Sequence, residues 1–327
     1  METEQSAVGN RQLAIIFPGQ GSQNPGMGKD LAEKFPVARQ VFEEADDALG
    51  FAISRLCFDG PAEDLQLTEN TQPAILTVSI AAFRVLSEAG VGAPAFVAGH
   101  SLGEYSALVA AGVLSLSDAV RTVRARGRYM QEAVPVGTGA MAAVIGGELS
   151  EIERICGEAR ASSTDGQVCS VANFNSPGQA VIAGNTEAVD RAIELLNGVA
   201  KRVIKLKVSA PFHCALMKPA QDRLAQDLER LSFNEPAIPV VTNVDARPTT
   251  APHELRDALV RQVSASVRWV ESMQLLIEQG VDTFVEAGPG KVLSGLMRQT
   301  SRDVKTLNVE DAASLEATQA ALVVKIE

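Results

Sequence analysis

Gly99-His100-Ser101-Leu102-Gly103 frames a serine between two glycines, the spacing required of a nucleophile on a sharp strand-to-helix turn. The pentapeptide by itself is common, but its setting adds weight. An apolar run at 95–98 precedes it and an alanine-rich stretch at 104–111 follows. At such a junction the helix N-terminus offers unpaired N–H groups and a positive dipole end to a developing oxyanion. A structural β-α turn whose serine merely caps the helix has the same pattern. A serine hydroxyl is a weak nucleophile until a base takes its proton, and the chain has three histidines. His100 adjoins the serine, and neighbours at a sharp turn point their side chains apart. His253, in Ala251-Pro252-His253-Glu254, reads as the start of a surface helix. His213, in Pro211-Phe212-His213-Cys214, follows directly on a predicted strand, where catalytic groups at the top of a sheet are usually placed. Ser101 with His213 as its base is therefore the candidate pair, with covalent catalysis through a serine ester as its chemistry.

The elements that must hold these groups follow from hydrophobic patterning. Residues 13–17 read as a short buried strand closed by Pro18-Gly19-Gln20-Gly21, a turn that on its own could be purely structural. Helical patterns cover 31–49, 73–89 and 117–133, the last capped by Ser117-Asp118 and ended near Pro135. Strands alternating with helices predict an α/β fold with a mostly parallel sheet. The rhythm then changes. A strand at 140–145, a helix at 150–160, strands at 167–174 and 179–183, a helix at 186–196 and a strand at 202–208 give the β-α-β-β-α-β order of a ferredoxin-like unit. Residues 137–206 are thus expected to form a small lobe inserted into a large catalytic lobe made from 1–136 and 207–327. The large-lobe pattern resumes with a helix at 218–231, a strand at 238–242, helices at 253–263 and 267–279, and a strand at 283–286. The turn Gly288-Pro289-Gly290 and another helix follow.

Composition narrows the class. The chain has 327 residues, 46% hydrophobic and 21% charged, enough for a substantial core. A net charge of −11 argues against nucleic-acid binding, which rests on phosphate neutralisation. No apolar run approaches the ~18 residues of a membrane span. The first twelve residues are polar, lack the apolar stretch of a secretion signal and read as a short loose arm. Cys57, Cys156, Cys169 and Cys214 have no C-x-x-C spacing, so reduced buried thiols in a cytoplasmic protein are expected rather than a zinc or redox motif. With three scattered histidines and no H-E-x-x-H, no metal site is expected. The interval Gly21 to Gly26 resembles a phosphate loop, but Met27 and Gly28 stand where Lys and Ser/Thr are needed.

Several separated motifs, in order from about residue 13 to about residue 299, resemble the malonyl-CoA:acyl carrier protein transacylases of fatty acid synthesis. They are Phe17-Pro18-Gly19-Gln20-Gly21-Ser22-Gln23, Gly99-His100-Ser101-Leu102-Gly103-Glu104-Tyr105, Arg126-Gly127, Gly137-Thr138-Gly139-Ala140-Met141, Asn173-Phe174-Asn175-Ser176-Pro177-Gly178, Phe212-His213 and Glu286-Ala287-Gly288-Pro289-Gly290. The resemblance implies the same two-lobed, hydrolase-like architecture. It implies Ser101 as nucleophile, His213 as base, the backbone carbonyl of Gln262 orienting the histidine, and an oxyanion hole from the backbone N–H groups of Gln20 and Leu102. A carbonyl in place of a carboxylate suits a thioester, because a thiolate with a pKa near ~8.5 leaves more easily than an amine.

Arg126, judged by itself, is one more solvated helix arginine beside Arg121, Arg124 and Arg128. The resemblance makes it the group that grips malonyl, since a guanidinium fork pairs bidentately with a carboxylate. Phe212, Met141 and His100 complete the implied substrate-binding set, Phe212 bearing on malonyl against methylmalonyl. One methyl there is worth only ~1–3 kcal/mol. The family often has proline where Ser266 stands, which bears on the loop after Gln262. Implied partners are malonyl-CoA and an acidic acyl carrier protein, the phosphopantetheine being the carrier's, with a monomeric enzyme and no cofactor of its own. A polyketide acyltransferase is the alternative. A serine esterase or thioesterase is a rival, but its histidine is expected near the C-terminus, and His213 lies two-thirds along. In Lys201-Arg202-Val203-Ile204-Lys205-Leu206-Lys207, a strand would place Lys201, Lys205 and Lys207 on one face. That face is either a solubilising edge or a basic dock for the carrier.

Overall fold

The computed structural model describes residues 12–162, 166–206, 208 and 210–322, so the polar N-terminal arm lies outside the described residues apart from Gln12. In chain order the elements are β1 (Gln12–Phe17), α1 (Lys29–Lys34), α2 (Pro36–Leu49), α3 (Ile53–Asp59), α4 (Ala62–Leu65), α5 (Thr68–Glu88), β2 (Phe96–Gly99), α6 (Gly103–Ala110), α7 (Leu116–Glu132), β3 (Gly139–Ile145), α8 (Leu149–Ala161), β4 (Cys169–Ser176) and β5 (Gln179–Asn185). They continue with α9 (Thr186–Leu195), β6 (Arg202–Lys205), α10 (Lys218–Glu229), β7 (Val240–Val241), β8 (Pro248–Thr249), α11 (Pro252–Gln262), α12 (Trp269–Glu278), β9 (Val281–Ala287), α13 (Val292–Thr300), β10 (Lys305–Val309) and α14 (Ala312–Leu322).

The large sheet runs β10-β9-β1-β2-β7-β8, parallel throughout except for the short β7–β8 pair. Its central strands are apolar because helices cover both faces. Ile15, Phe17, Val97 and Val285 face a core shared with α2, α5 and α7, while Ala14, Ile16, Ala98 and Phe284 face Trp269, Met273, Leu293 and Met297 of α12 and α13. Successive residues of β1 and β2 thus face the two cores in turn, as a strand's period of two requires. The carboxylate of Glu286, at the buried end of β9, accepts the N–H groups of Leu293 (3.0 Å) and Ser294 (2.7 Å) and so fixes the start of α13.

The second sheet, β4-β5-β3-β6, is antiparallel in every pair, the ferredoxin-like order. Its core is separate, with Ala142, Val144, Val171 and Ile182 of the sheet packed against Ile152 and Ile155 of α8 and Val189 of α9. The two sheets meet through the segment before α12. Val267 donates to Ala172 O (2.9 Å) and accepts from Phe174 N–H (2.9 Å), and the Ser266 hydroxyl donates to Val171 O at 2.6 Å. The hydroxyl thus ties this loop to β4.

Several boundaries differ from the sequence expectations. The helix expected over 31–49 is two, because Pro36 holds Phe35 extended (φ −120°, ψ 116°) and restarts the helix behind it. The helix expected from Pro73 begins at Thr68, with Pro73 lying inside α5 rather than opening it. The strand expected at 238–242 forms only at Val240–Val241, and the helix expected from 267 starts at Trp269 because Val267 is engaged with β4. β6 stops at Lys205.

Candidate active site

The site grows from the junction of β2 and α6. Ser101 has φ 52°, a left-handed conformation that a side-chain-bearing residue adopts at a cost of about 1–3 kcal/mol and that aims its Oγ out of the sheet top. The turn closes only because both flanking residues are glycine. A Cβ on Gly99 would lie 1.9 Å from Gly103 O, and one on Gly103 2.3 Å from Phe17 O. Asn243, just past β7, clamps the strained turn. Its Oδ1 accepts the Ser101 N–H (2.7 Å) and its Nδ2 donates to Gly99 O (2.7 Å). Asn243→Ala leaves a buried donor and a buried acceptor unpaired, and is expected to destabilise the fold by about 2–4 kcal/mol, read from denaturant unfolding. A loss under about 0.5 kcal/mol would show that the turn holds itself.

His213 also sits at positive φ (57°), which turns its ring toward the serine. Nε2 lies 2.7 Å from Ser101 Oγ and Nδ1 lies 2.9 Å from the backbone oxygen of Gln262. A carbonyl can only accept, so Nδ1 carries the proton and Nε2 is left to receive one. Burial, and then the charge of Arg126, push the His213 pKa down to about 3. The base therefore stays neutral through the acid range. kcat/KM is expected to hold as pH falls through 6.5, where an ordinary histidine base loses about tenfold per unit. A pH–rate profile with an acid limb at 6.5 would contradict this.

Arg126, on the buried face of α7, is 1% exposed. Its guanidinium donates to Gln72 Oε1 (2.7 Å), Gln262 Oε1 (2.9 Å) and Ser101 Oγ (3.1 Å), and its Nε has no partner among the described residues. It occupies the serine's lone pair and so leaves the hydroxyl proton directed at His213. Gln262 joins the parts. Its backbone oxygen holds His213, its Oε1 holds Arg126, and its Nε2 donates to Ser101 O (2.9 Å) and to the Glu104 carboxylate (2.8 Å).

These groups open onto a cavity of about 230 Å³ between the two sheets, lined by Gln20, Leu102, Met141, Phe212 and His100 as well as Ser101, His213 and Arg126. The backbone N–H groups of Gln20 and Leu102 make no hydrogen bond to protein among the described residues, and both residues line the cavity that holds Ser101. His100 does point away from the serine. Its Nε2 meets Asn175 Oδ1 at 2.9 Å, its ring packs edge-on to Trp269, and burial keeps it neutral. His253 opens α11. Asn243, Gln72 and Glu104 were not recognised as site residues from sequence. The available signal was polar side chains placed in apolar surroundings, Gln72 within a helix that is buried nearly all round and Asn243 after a two-valine strand.

Of the basic face expected at 201–207, Lys201 is exposed and Lys205 half-exposed. Lys205 is paired with Asp190 (2.5 Å) on α9, and Lys207 lies outside the described residues. All four cysteines are buried and unpaired, no metal-binding cluster occurs among the described residues, and no described helix is long and apolar enough to cross a membrane.

A serine on an α/β elbow within hydrogen-bond reach of a buried histidine is an arrangement suited to acyl transfer, and the family model described as acyl transferase domain matches residues 14–323. The chain belongs to that acyltransferase family. It is 52% identical over 312 residues to the malonyl CoA-acyl carrier protein transacylase of Escherichia coli K12, covering 95% of this chain and 99% of that one. The acyl carrier protein S-malonyltransferase structure of Vibrio cholerae superposes with a TM-score of 0.91 at 50% identity, covering 94% and 99% of the two chains. A malonyl-transacylase solved in complex with its type II polyketide acyl-carrier protein gives 0.91 at 49% identity, covering 95% and 99%.

Proposed function

We propose that this chain moves a malonyl group from malonyl-CoA to the phosphopantetheine thiol of an acyl carrier protein, through an ester on Ser101, supplying extender units for fatty acid synthesis. The observation that carries the reading is Arg126, a guanidinium buried in the acyl cavity within hydrogen-bond reach of the nucleophile. An acyl group ending in a carboxylate satisfies it, whereas acetyl leaves it unpaired. The names of the relatives and the carrier-bound neighbour support both substrate and partner.

In the first half-reaction Ser101 Oγ bonds to the thioester carbonyl carbon as its proton passes to His213 Nε2. The negative oxygen of the tetrahedral intermediate takes the N–H groups of Gln20 and Leu102. The C–S bond then breaks and His213 returns the proton to the coenzyme A sulfur. In the second half-reaction the carrier thiol enters by the same path and Ser101 recovers its proton. The Gln262 carbonyl keeps the imidazole in the required tautomer throughout, and Phe212 and Met141 wall the acyl chain.

A direct test compares malonyl-CoA consumption with and without phosphopantetheinylated carrier protein. Fast turnover only with the carrier is expected. Equal turnover by water would make the protein a thioesterase.

A further inference from the structure

Beneath Arg126 lies a second buried charged side chain that acyl transfer itself does not use. Glu104, in the first turn of α6, is 0% exposed. Its Oε2 accepts from Asn243 N–H (3.0 Å) and Gln262 Nε2 (2.8 Å), while its Oε1 is buried with no partner among the described residues. The same Gln262 amide that donates to Glu104 accepts from Arg126. One amide therefore separates a buried cation from a buried anion. Resting on the assignment of Arg126 to the malonyl carboxylate, we propose that Glu104 is the counter-charge released when substrate arrives, and that malonyl binding is accompanied by uptake of a proton on Glu104.

The charge balance requires some response of this kind. In the free protein the positive charge of Arg126 is offset by Glu104. Once a malonyl carboxylate pairs with Arg126, two anions share one cation in a dry site, and the weaker-held one is driven to neutralise. The geometry says where the proton goes. Both donors on Glu104 sit on Oε2, so protonation of Oε1 breaks no hydrogen bond. Burial already pushes the carboxyl up to about 7, against the lowering effects of Asn243, Gln262 and Arg126, so losing Arg126 to substrate raises it further. The titratable or charged groups facing Glu104 are Arg126 on α7, Tyr105 beside it on α6 and Asp245 beyond β7, the last held by Arg261 of α11. Tyr105 is pushed upward and Asp245 downward, which leaves neither to titrate near neutrality. His213 and His100 are both lowered.

The sign follows from linkage. Below about pH 7 Glu104 is already neutral and binding takes up nothing. Above it, malonyl affinity weakens by up to about tenfold per pH unit until the bound-state value is reached. Acetyl, lacking the carboxylate, shows no such slope. The coenzyme A phosphate also titrates, near ~6, but it is common to both donors and cancels in their ratio.

The test uses Ser101→Ala protein, which binds thioesters without consuming them. Kd values for malonyl-CoA and acetyl-CoA are measured by calorimetry from pH 6 to about 9, in two buffers of different ionisation enthalpy to count protons. The expected result is a malonyl-to-acetyl Kd ratio that rises with pH above 7, extra proton uptake with malonyl-CoA, and loss of both in Ser101→Ala/Glu104→Gln. A pH-independent ratio in the Ser101→Ala protein overturns the proposal whether or not the double variant folds, and so does a slope that survives Glu104→Gln. Equal affinities for the two donors already at pH 6 would instead remove the Arg126 assignment on which the proposal stands.

Discussion

Ser101→Ala is expected to lower kcat/KM for malonyl transfer by at least ~10⁴-fold while leaving the fold intact. The covalent route depends on one oxygen, and no neighbouring group can replace it. Its hydroxyl makes two side-chain contacts, to His213 and to Arg126, and Arg126 keeps Gln72 and Gln262 when the hydroxyl is gone. The backbone clamp to Asn243 uses the Ser101 N–H and persists in alanine. Removing the nucleophile of a serine triad costs up to about 10⁶ in kcat. What remains is the two amides of Gln20 and Leu102, which polarise a carbonyl without offering it an attacking group. The measurement is steady-state transfer to carrier protein, with the melting temperature as control. A loss under tenfold in a folded variant would place the nucleophile elsewhere.

Arg126→Ala is expected to change which acyl group is preferred. Leaving a buried charge without its partner costs roughly 2–5 kcal/mol, so kcat/KM for malonyl should fall about 30- to 4000-fold. Acetyl transfer should hold or improve, because the guanidinium that acetyl leaves unpaired is gone. The substitution also frees the oxygens of Gln72 and Gln262, so Arg126→Met, which keeps much of the volume, guards against a simple loss of packing. Competition between malonyl-CoA and acetyl-CoA reads the outcome directly. Parallel losses for both donors would show that the arginine supports the serine and the fold rather than selecting the acyl group.

Arg126 also shows where sequence reading reached its limit and how it could have gone further. Among four arginines of α7 it has no distinguishing composition, yet it occupies the same helical stripe as Ala119, Val123 and Met130, all buried. A charge on an apolar stripe at positions three and four apart is a signal in itself. Its neighbours behave as surface residues do, with Arg121 paired to Asp118, Arg124 over the Phe51 ring and Arg128 over Tyr129. Ser101 and His213 were legible because a glycine-framed turn and a strand end impose local constraints that the chain must declare. The two sheets were legible from the order of their elements, with the apolar run of β1 marking a strand buried on both faces and the β-α-β-β-α-β succession marking the small sheet.

What was missed depends on contacts distant in sequence. Asn243 acts through backbone groups 142 and 144 residues away, and its place after a two-valine strand marks it as buried without naming those partners. β10 and α14 were not anticipated because an edge strand such as Lys305–Val309 is only half-buried and carries a weak pattern. The pairing of Lys205 with Asp190 was not anticipated because the partner comes from another element.

The most direct test of the central claim is mass spectrometry of the protein after incubation with malonyl-CoA and no carrier, followed by peptide mapping. The account predicts one added malonyl group, carried by the peptide containing Ser101 and discharged when phosphopantetheinylated carrier is added. An unmodified protein that nevertheless transfers malonyl, or a malonyl group mapped to any other residue, would contradict it.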